Sequence, residues 1–392
     1  MQNSEIHPEK LEKLIKGLGP KKILALDGGG IRGMITVEIL AEIEKQLRKK
    51  LGTDDEFRLS DYFDFVAGTS TGAIIAACIS IGMKVSEIKQ FYVDSGREMF
   101  DKASLLRRTR YKYEDENLAN KLRYVFSRSN GETREDLLLG SDQLKTVLMM
   151  VMRNATTDSP WPISNNPHAM YNQTKRQDGT VRKNCNLNIP LWQLVRASTA
   201  APTYFPPEVV ELGYQEFVFV DGGITTYNNP AFQAFLMATV KPYEMNWVTG
   251  EDKMLVVSIG TGTSPEANAD LDPDKMNLLY NATSLPSALM AAALNEQDFL
   301  CRVFGKCLVG DRLNREVGDM LGVSAPAGSS KLFTYLRYNA SLTSEGLKAL
   351  HLANIKPENV QKLDLIEHIE ALQSIGQAVA KKVNAEHYAG FV

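Results

Sequence analysis

The apolar positions of this chain fall into short continuous runs, each closed by a glycine turn and followed by residues with helical spacing. Lys22-Ile23-Leu24-Ala25-Leu26 predicts a buried strand, residues 27–33 a glycine loop, and residues 34–50 a helix whose basic last turn and Gly52 mark its end. The same parts return at once: residues 63–67 predict a strand, Gly68-Thr69-Ser70-Thr71-Gly72 a tight turn, and residues 73–81 a helix. Further strands are expected at 147–152, 216–220 and 253–259, and helices at 86–126, at 191–199 and after Asn229-Pro230, an N-cap with proline at the first helical position. Residues 1–20 read as a polar lead-in with a short amphipathic helix around 11–18, and residues 154–188, rich in Asn, Pro, Asp and Thr, as a long irregular insertion. Everything after residue 259 reads helical, most clearly at 345–352 and 360–383. Strands alternating with helices predict an α/β fold with a mainly parallel sheet between helices.

Composition narrows the class without naming a chemistry. With 44% apolar residues, 23% charged residues and a net charge of -3 over 392 residues, the chain has material for a large core and no basic excess, so nucleic acid is not an expected partner. The N-terminus shows no apolar leader, and no stretch approaches the 18 or so apolar residues that span a bilayer, which predicts a cytoplasmic protein. Cys78, Cys185, Cys301 and Cys307 have no C-x-x-C spacing and read as reduced thiols, with no metal set among them.

Three glycine turns carry the candidate chemistry, and each closes a predicted strand: Asp27-Gly28-Gly29-Gly30, the turn centred on Ser70, and Asp221-Gly222-Gly223. In an open parallel sheet, ligands bind outside the C-terminal ends of the strands. A strand, a G-x-S-x-G turn and a helix form the context in which a serine becomes a nucleophile, so Ser70 is the first candidate. Gly28, Gly30 and Gly33 also satisfy G-x-G-x-x-G, but the second strand ends in the Ser70 turn where a dinucleotide fold needs its ribose-binding acid. A P-loop is absent, and no cofactor is expected. The alternative use of the triple glycine is an oxyanion hole, in which Gly28, Gly29 and Gly30 offer backbone N–H groups to a developing negative charge. Arg32 adds a cation nearby, or else pairs with a surface acid. The serine needs a base. The histidines, His7, His168, His351, His368 and His387, sit in no distinctive motif, whereas Asp221 follows an apolar strand whose surroundings would raise its pKa and strengthen it as a base. A plain turn is the other reading of Asp221-Gly222.

Together with Arg196-Ala197-Ser198-Thr199-Ala200-Ala201-Pro202-Thr203-Tyr204-Phe205, these motifs occur in an order that resembles the patatin-like phospholipases, soluble bacterial members included, over residues 20–265. The resemblance implies a three-layer α/β/α sandwich with a mainly parallel central sheet and a helical C-terminal region. It also implies a lipid acyl hydrolase with Ser70 as nucleophile, Asp221 as base, Gly28, Gly29, Gly30 and Arg32 as the oxyanion region, and no metal. The substrate would be a phospholipid or glycerolipid at a transiently contacted membrane surface. The 196–205 segment would shape the acyl pocket, or serve only as a helix exit. The expected organisation is a lead-in at 1–20, a catalytic domain at 21–330 with its insertion near 155–188, and a helical region at 331–392 packed on the same domain.

Two further readings stay open. Similar bacterial proteins act as membrane-degrading effectors in antiviral defence, which would make this chain a regulated effector with a nucleotide activator, and a homo-oligomer is compatible with either role. The stretch from Lys102 to Tyr113 mixes Lys102, Arg107, Arg108, Arg110 and Lys112 with Leu105, Leu106, Tyr111 and Tyr113, the composition of a surface for anionic lipid or of a solvated loop.

Overall fold

The computed structural model describes residues 9–100, 113–175, 178–202, 205–264, 278–326 and 328–392. The first half runs α1 (Glu9–Lys16), β1 (Lys21–Leu26), α2 (Gly33–Leu51), α3 (Leu59–Tyr62), β2 (Phe65–Thr69), α4 (Thr71–Ser80), α5 (Val85–Phe100), α6 (Tyr113–Val125), β3 (Ser127–Asn130), β4 (Thr133–Asp136), β5 (Val147–Asn154) and β6 (Ser159–Ser164). The second half follows with α7 (Leu191–Thr199), β7 (Glu208–Leu212), β8 (Gln215–Asp221), α8 (Ala231–Thr239), β9 (Met254–Ile259), α9 (Leu278–Phe304), β10 (Gly305–Val309), β11 (Phe333–Tyr338), α10 (Ser344–Ala349) and α11 (Ile369–Ala380). The basic stretch at 102–112 lies outside the described residues, as do His7, Thr203 and Tyr204.

Among the described residues the main sheet has the order β10-β11-β9-β1-β2-β5-β8-β7, with β6 added on β5. The run from β10 to β5 is parallel throughout. Successive side chains of a strand point to opposite faces, and here both faces are covered. Leu24, Leu26, Val66, Leu148 and Val257 pack with α2, α4 and α11 on one side. Ile23, Ala25, Phe65, Ala67 and Val256 pack with α1, α8 and Trp247 on the other. This is the expected three-layer α/β/α arrangement with a mainly parallel sheet, and burial on both faces is why its strands read as unbroken apolar runs.

Four strands of the main sheet were not expected from the sequence. The segment after residue 259 is not helical throughout, because β10 and β11 continue the sheet beyond β9. A division at residue 330 would fall between these two neighbouring strands. β11 hides in the sequence because a buried arginine, Arg337, interrupts its apolar pattern, and β10 because it is an edge strand with Lys306 and Leu308 facing outward. The 154–188 insertion begins with a regular strand, β6, whose Pro160 and Pro162 argued against one; a strand off the main path tolerates them. β7 is an edge strand whose alternation is only five residues long.

β8 also runs antiparallel to β5 rather than parallel. Asp221 nevertheless meets the same edge as Ser70, because β5 overruns β2: Val151 pairs with Thr69, and the next residue, Met152, pairs with Asp221. No helix among the described residues is long and apolar enough to cross a membrane.

Candidate active site

Ser70 stands at the junction of β2 and α4 with φ 53°, a left-handed conformation that a serine rarely adopts. The turn is held by its glycines. A Cβ on Gly68 would lie 2.1 Å from the Gly72 carbonyl oxygen, and one on Gly72 would lie 2.2 Å from the Leu26 carbonyl oxygen. Only two glycines let the strand, the turn and β1 approach this closely.

The Ser70 Oγ donates to Asp221 Oδ2 at 2.6 Å, across 151 residues of sequence. The other carboxylate oxygen, Oδ1, accepts the Gly223 N–H at 2.6 Å. Burial pushes the Asp221 carboxyl up to about 6, against the opposing pull of the bonds from Ser70 and Gly223. Both side chains are less than one tenth exposed.

A third segment fixes this pair. Ser198, in the last turn of α7, accepts the Ser70 N–H at 3.0 Å and donates to the Val151 carbonyl at 2.5 Å, while the Asp221 N–H donates to the Ala200 carbonyl at 2.9 Å. The 196–205 segment therefore braces both Ser70 and Asp221 through Ser198 and Ala200.

The glycine loop after β1 lies beside Ser70, but its N–H groups are not equivalent. The Gly28 N–H donates to the Asn228 carbonyl at 3.1 Å and so is already engaged. That removes Gly28 from the expected set of oxyanion donors; the amide bonds within the chain because the 225–228 loop crosses it. Gly29 and Gly30 donate to no backbone carbonyl among the described residues. Gly29 is seated against Thr261, whose Oγ1 would lie 2.1 Å from a Cβ there and which itself donates to the Gly28 carbonyl at 2.8 Å. Gly29→Val is accordingly expected to push the loop off this seat and lower kcat on the order of 100-fold, the cost of one lost oxyanion donor. Steady-state kinetics with a melting curve checks this, and an unchanged kcat would assign the loop to packing.

Arg32 forms no ion pair with a surface acid among the described residues. Its guanidinium donates through Nη1 to the Gln361 carbonyl at 3.1 Å, and Nε is buried without a partner among the described residues. Burial lowers its pKa to about 10, partly offset by Asp27, so it stays charged at neutral pH. Next to it, the Ile31 N–H donates to the Leu363 carbonyl at 3.0 Å, so the segment before α11 lies against the loop.

The loop's first residue is anchored from the far side of the sheet. Arg337 on β11 donates from Nη1 to Asp27 Oδ1 at 2.9 Å and from Nη2 to Asp27 Oδ2 at 2.6 Å, and it also donates to Ser258 Oγ at 2.7 Å. Both ions are essentially inaccessible. Burial disfavours the Arg337 charge, but Asp27 beside it outweighs burial and raises the Arg337 pKa. Asp298 on α9 lies 3.9 Å from Arg337 Nε, accepts twice from Arg302 at 2.9 and 2.8 Å, and accepts from the Tyr335 hydroxyl at 3.0 Å. The pairing of Asp27 with Arg337 leaves no mark in the sequence pattern, because the two residues lie 310 positions apart.

The described histidines are elsewhere. His168 lies 3.6 Å from Glu12, His387 bonds the Tyr338 hydroxyl, and His351 is exposed. None donates to or accepts from Ser70 or Asp221.

A family model described as Patatin-like phospholipase matches residues 24–235. The chain is 29% identical over 272 residues to Patatin-17 of Solanum cardiophyllum, covering 62% of this chain and 61% of that protein. It is 31% identical over 270 residues to Patatin-like protein 1 of Oryza sativa subsp. indica, covering 62% and 59%. The chain thus spans about three fifths of the length of these plant relatives. A solved structure, VipD from Legionella pneumophila, aligns over 93% of this chain and 66% of its own at 13% identity and a TM-score of 0.38, too weak a likeness to argue from.

Proposed function

Because the chain belongs to the patatin-like phospholipase family, we propose that it is a lipid acyl hydrolase in which Ser70 attacks the acyl carbon of a membrane phospholipid or glycerolipid and Asp221 takes the serine proton. The observation that carries this reading is the 2.6 Å bond from Ser70 Oγ to a buried carboxylate on a strained strand-to-helix turn. Attack forms the Oγ–C bond and moves the carbonyl π pair onto oxygen, where the Gly29 and Gly30 N–H groups receive the charge. Asp221 then returns its proton to the leaving alcohol as the ester C–O bond breaks, takes a proton from the water that attacks the acyl-enzyme, and passes it to Ser70 Oγ as the fatty acid is released. The protein would meet the membrane surface only transiently.

Labelling with a fluorophosphonate probe and peptide mapping tests the assignment. Modification at Ser70, blocked by prior incubation with a short-chain ester, is the expected result. A folded protein that hydrolyses esters while taking its label at another residue would overturn the nucleophile, and one that neither hydrolyses nor labels would overturn the function.

The carboxylate base also predicts a pH profile. Asp221 must be ionised to accept the proton, so kcat/KM is expected to fall on the acid side as pH drops through about 6. His168→Ala is expected to keep that limb and stay within a few-fold of the parent. The raised Asp221 pKa has a second consequence, because a native state that favours the protonated carboxyl is weakened by ionisation. That penalty begins above the ordinary carboxylate pKa and is complete once pH exceeds about 6. Asp221→Asn should therefore abolish turnover yet melt no lower than the parent at pH 7, with a gain of up to on the order of 1–3 kcal/mol. A variant that is inactive because it is unfolded would contradict this.

A further inference from the structure

Asn228 is a buried polar side chain at this site that the serine and aspartate chemistry leaves unused. It is 5% exposed, and its Oδ1 has no hydrogen-bond partner among the described residues. Buried amide groups are nearly always paired, so an orphan here needs a reason.

Its position supplies one. A Cβ on Gly28 would lie 2.3 Å from Asn228 Oδ1 and 3.2 Å from Ser70 Cβ, and a Cβ on Gly223 would lie 3.3 Å from the same Oδ1 and 3.0 Å from Asp221 Oδ1. The end of the Asn228 amide thus occupies the space where the glycine loop, the serine and the aspartate turn converge. The residue is held there by its backbone: its carbonyl accepts the Gly28 N–H at 3.1 Å, and the preceding Tyr227 carbonyl accepts Thr69 Oγ1 at 2.7 Å. Its position is therefore tied to β2 and to the loop after β1 together. Gly28 acquires a role from the same contact, since its missing side chain leaves the room in which the Asn228 amide sits.

This inference rests on the acyl-hydrolase reading above. We propose that Asn228 is a further catalytic residue, whose side-chain N–H donates to the ester oxygen that gains charge as Ser70 attacks, beside the Gly29 and Gly30 amides. The oxygen and nitrogen of an asparagine exchange places by rotation about one bond. Because Oδ1 makes no bond in its present orientation, turning the amide to present Nδ2 gives up none at that atom. Asn228 moves no proton: the serine proton goes to Asp221, the carbonyl π pair goes to the ester oxygen, and the asparagine adds a neutral donor to the charge that results. A neutral donor suits this point, because a cation there would lower the Asp221 pKa and weaken the base.

The test uses the full chain with Asn228→Ala and Asn228→Asp, a soluble short-chain p-nitrophenyl ester, and fluorophosphonate labelling of the parent. Aspartate has the shape of asparagine but, when ionised, no hydrogen to donate, so it removes the donor without leaving a hole. Both variants are expected to fold, to lower kcat on the order of 100-fold and to leave KM within about threefold, the pattern of an interaction made in the transition state. A folded Asn228→Asp with kcat within threefold of the parent would overturn the proposal, and so would a rise in KM at unchanged kcat in either variant. Should Asn228→Ala misfold, Asn228→Asp alone decides. A parent that labels at Ser70 keeps the acyl-hydrolase reading intact whichever way the asparagine variants fall, whereas a parent with neither label nor turnover would sink both.

Discussion

Ser70→Ala is expected to remove ester hydrolysis by on the order of 10⁴-fold or more, the scale on which a serine nucleophile is lost, while the protein melts within a few degrees of the parent. The substitution deletes one oxygen. The turn keeps its shape because it is set by Gly68 and Gly72, by the Ser70 N–H on Ser198 and by the register of β2 with β1. Alanine tolerates φ 53° no better than serine does, so the parent's strain is carried over unchanged. What does change is Asp221, which loses one of the two bonds that lower its pKa and keeps the other, from Gly223. A folded Ser70→Ala that retains more than a few per cent of parental turnover would refute the nucleophile.

Arg337→Met should have the largest effect on stability. It leaves Asp27, which is fully buried, without its bidentate partner, and an unpaired buried charge costs about 3–5 kcal/mol. The melting temperature is expected to drop by several degrees or more at neutral pH, and kcat to fall with it, since Asp27 is the residue from which the Gly28 to Gly30 loop departs. Replacing both ions, Asp27→Asn with Arg337→Met, is expected to recover much of the lost stability, because neither charge is then stranded. Melting curves for the two single variants and the double variant measure the coupling. Additive losses would mean that the two residues act independently despite their 2.6 Å contact.

The parts of this architecture that announced themselves are the ones whose cause is local. Ile23 to Leu26, Phe65 to Ala67 and Leu255 to Ile259 are buried on both faces of a parallel sheet and so form apolar runs that period and composition detect. The Ser70 turn was visible because its two glycines stand close together around the serine, although the second of them is required by Leu26 on β1 and not by the turn itself. Asp221 was legible as an acid after an apolar strand, although its strand runs against the direction assumed for it, and only the overrun of β5 puts it level with Ser70.

What stayed hidden depends on partners far away in sequence. Nothing near Gly28 signals that its N–H is taken by the Asn228 carbonyl, 200 residues later. Ser198 and Ala200 belong to a motif that the sequence displays, but their use as braces depends on Val151 and Asp221. Arg337 reads as an ordinary arginine in an aromatic stretch until Asp27 is placed against it. A buried charge breaks the very pattern by which strands are found, so the residue that anchors the glycine loop also concealed β11.

The pairing of Asp27 with Arg337 sets the order in which the site can come into being during synthesis. The two residues are 310 positions apart, and a ribosome adds roughly 5–20 residues per second. By that clock the Asp27 carboxylate is made about 15–60 seconds before the guanidinium that neutralises it. Through that interval β1 lacks β9, its neighbour in the finished sheet, until residue 259 has been made, and β9 lacks β11 for longer still. Ser70 and Asp221 are both synthesised well before Arg337, yet the loop beside them has no fixed charge partner until then. Until β11 has been made, the residue from which the glycine loop departs carries a carboxylate whose bidentate partner does not yet exist.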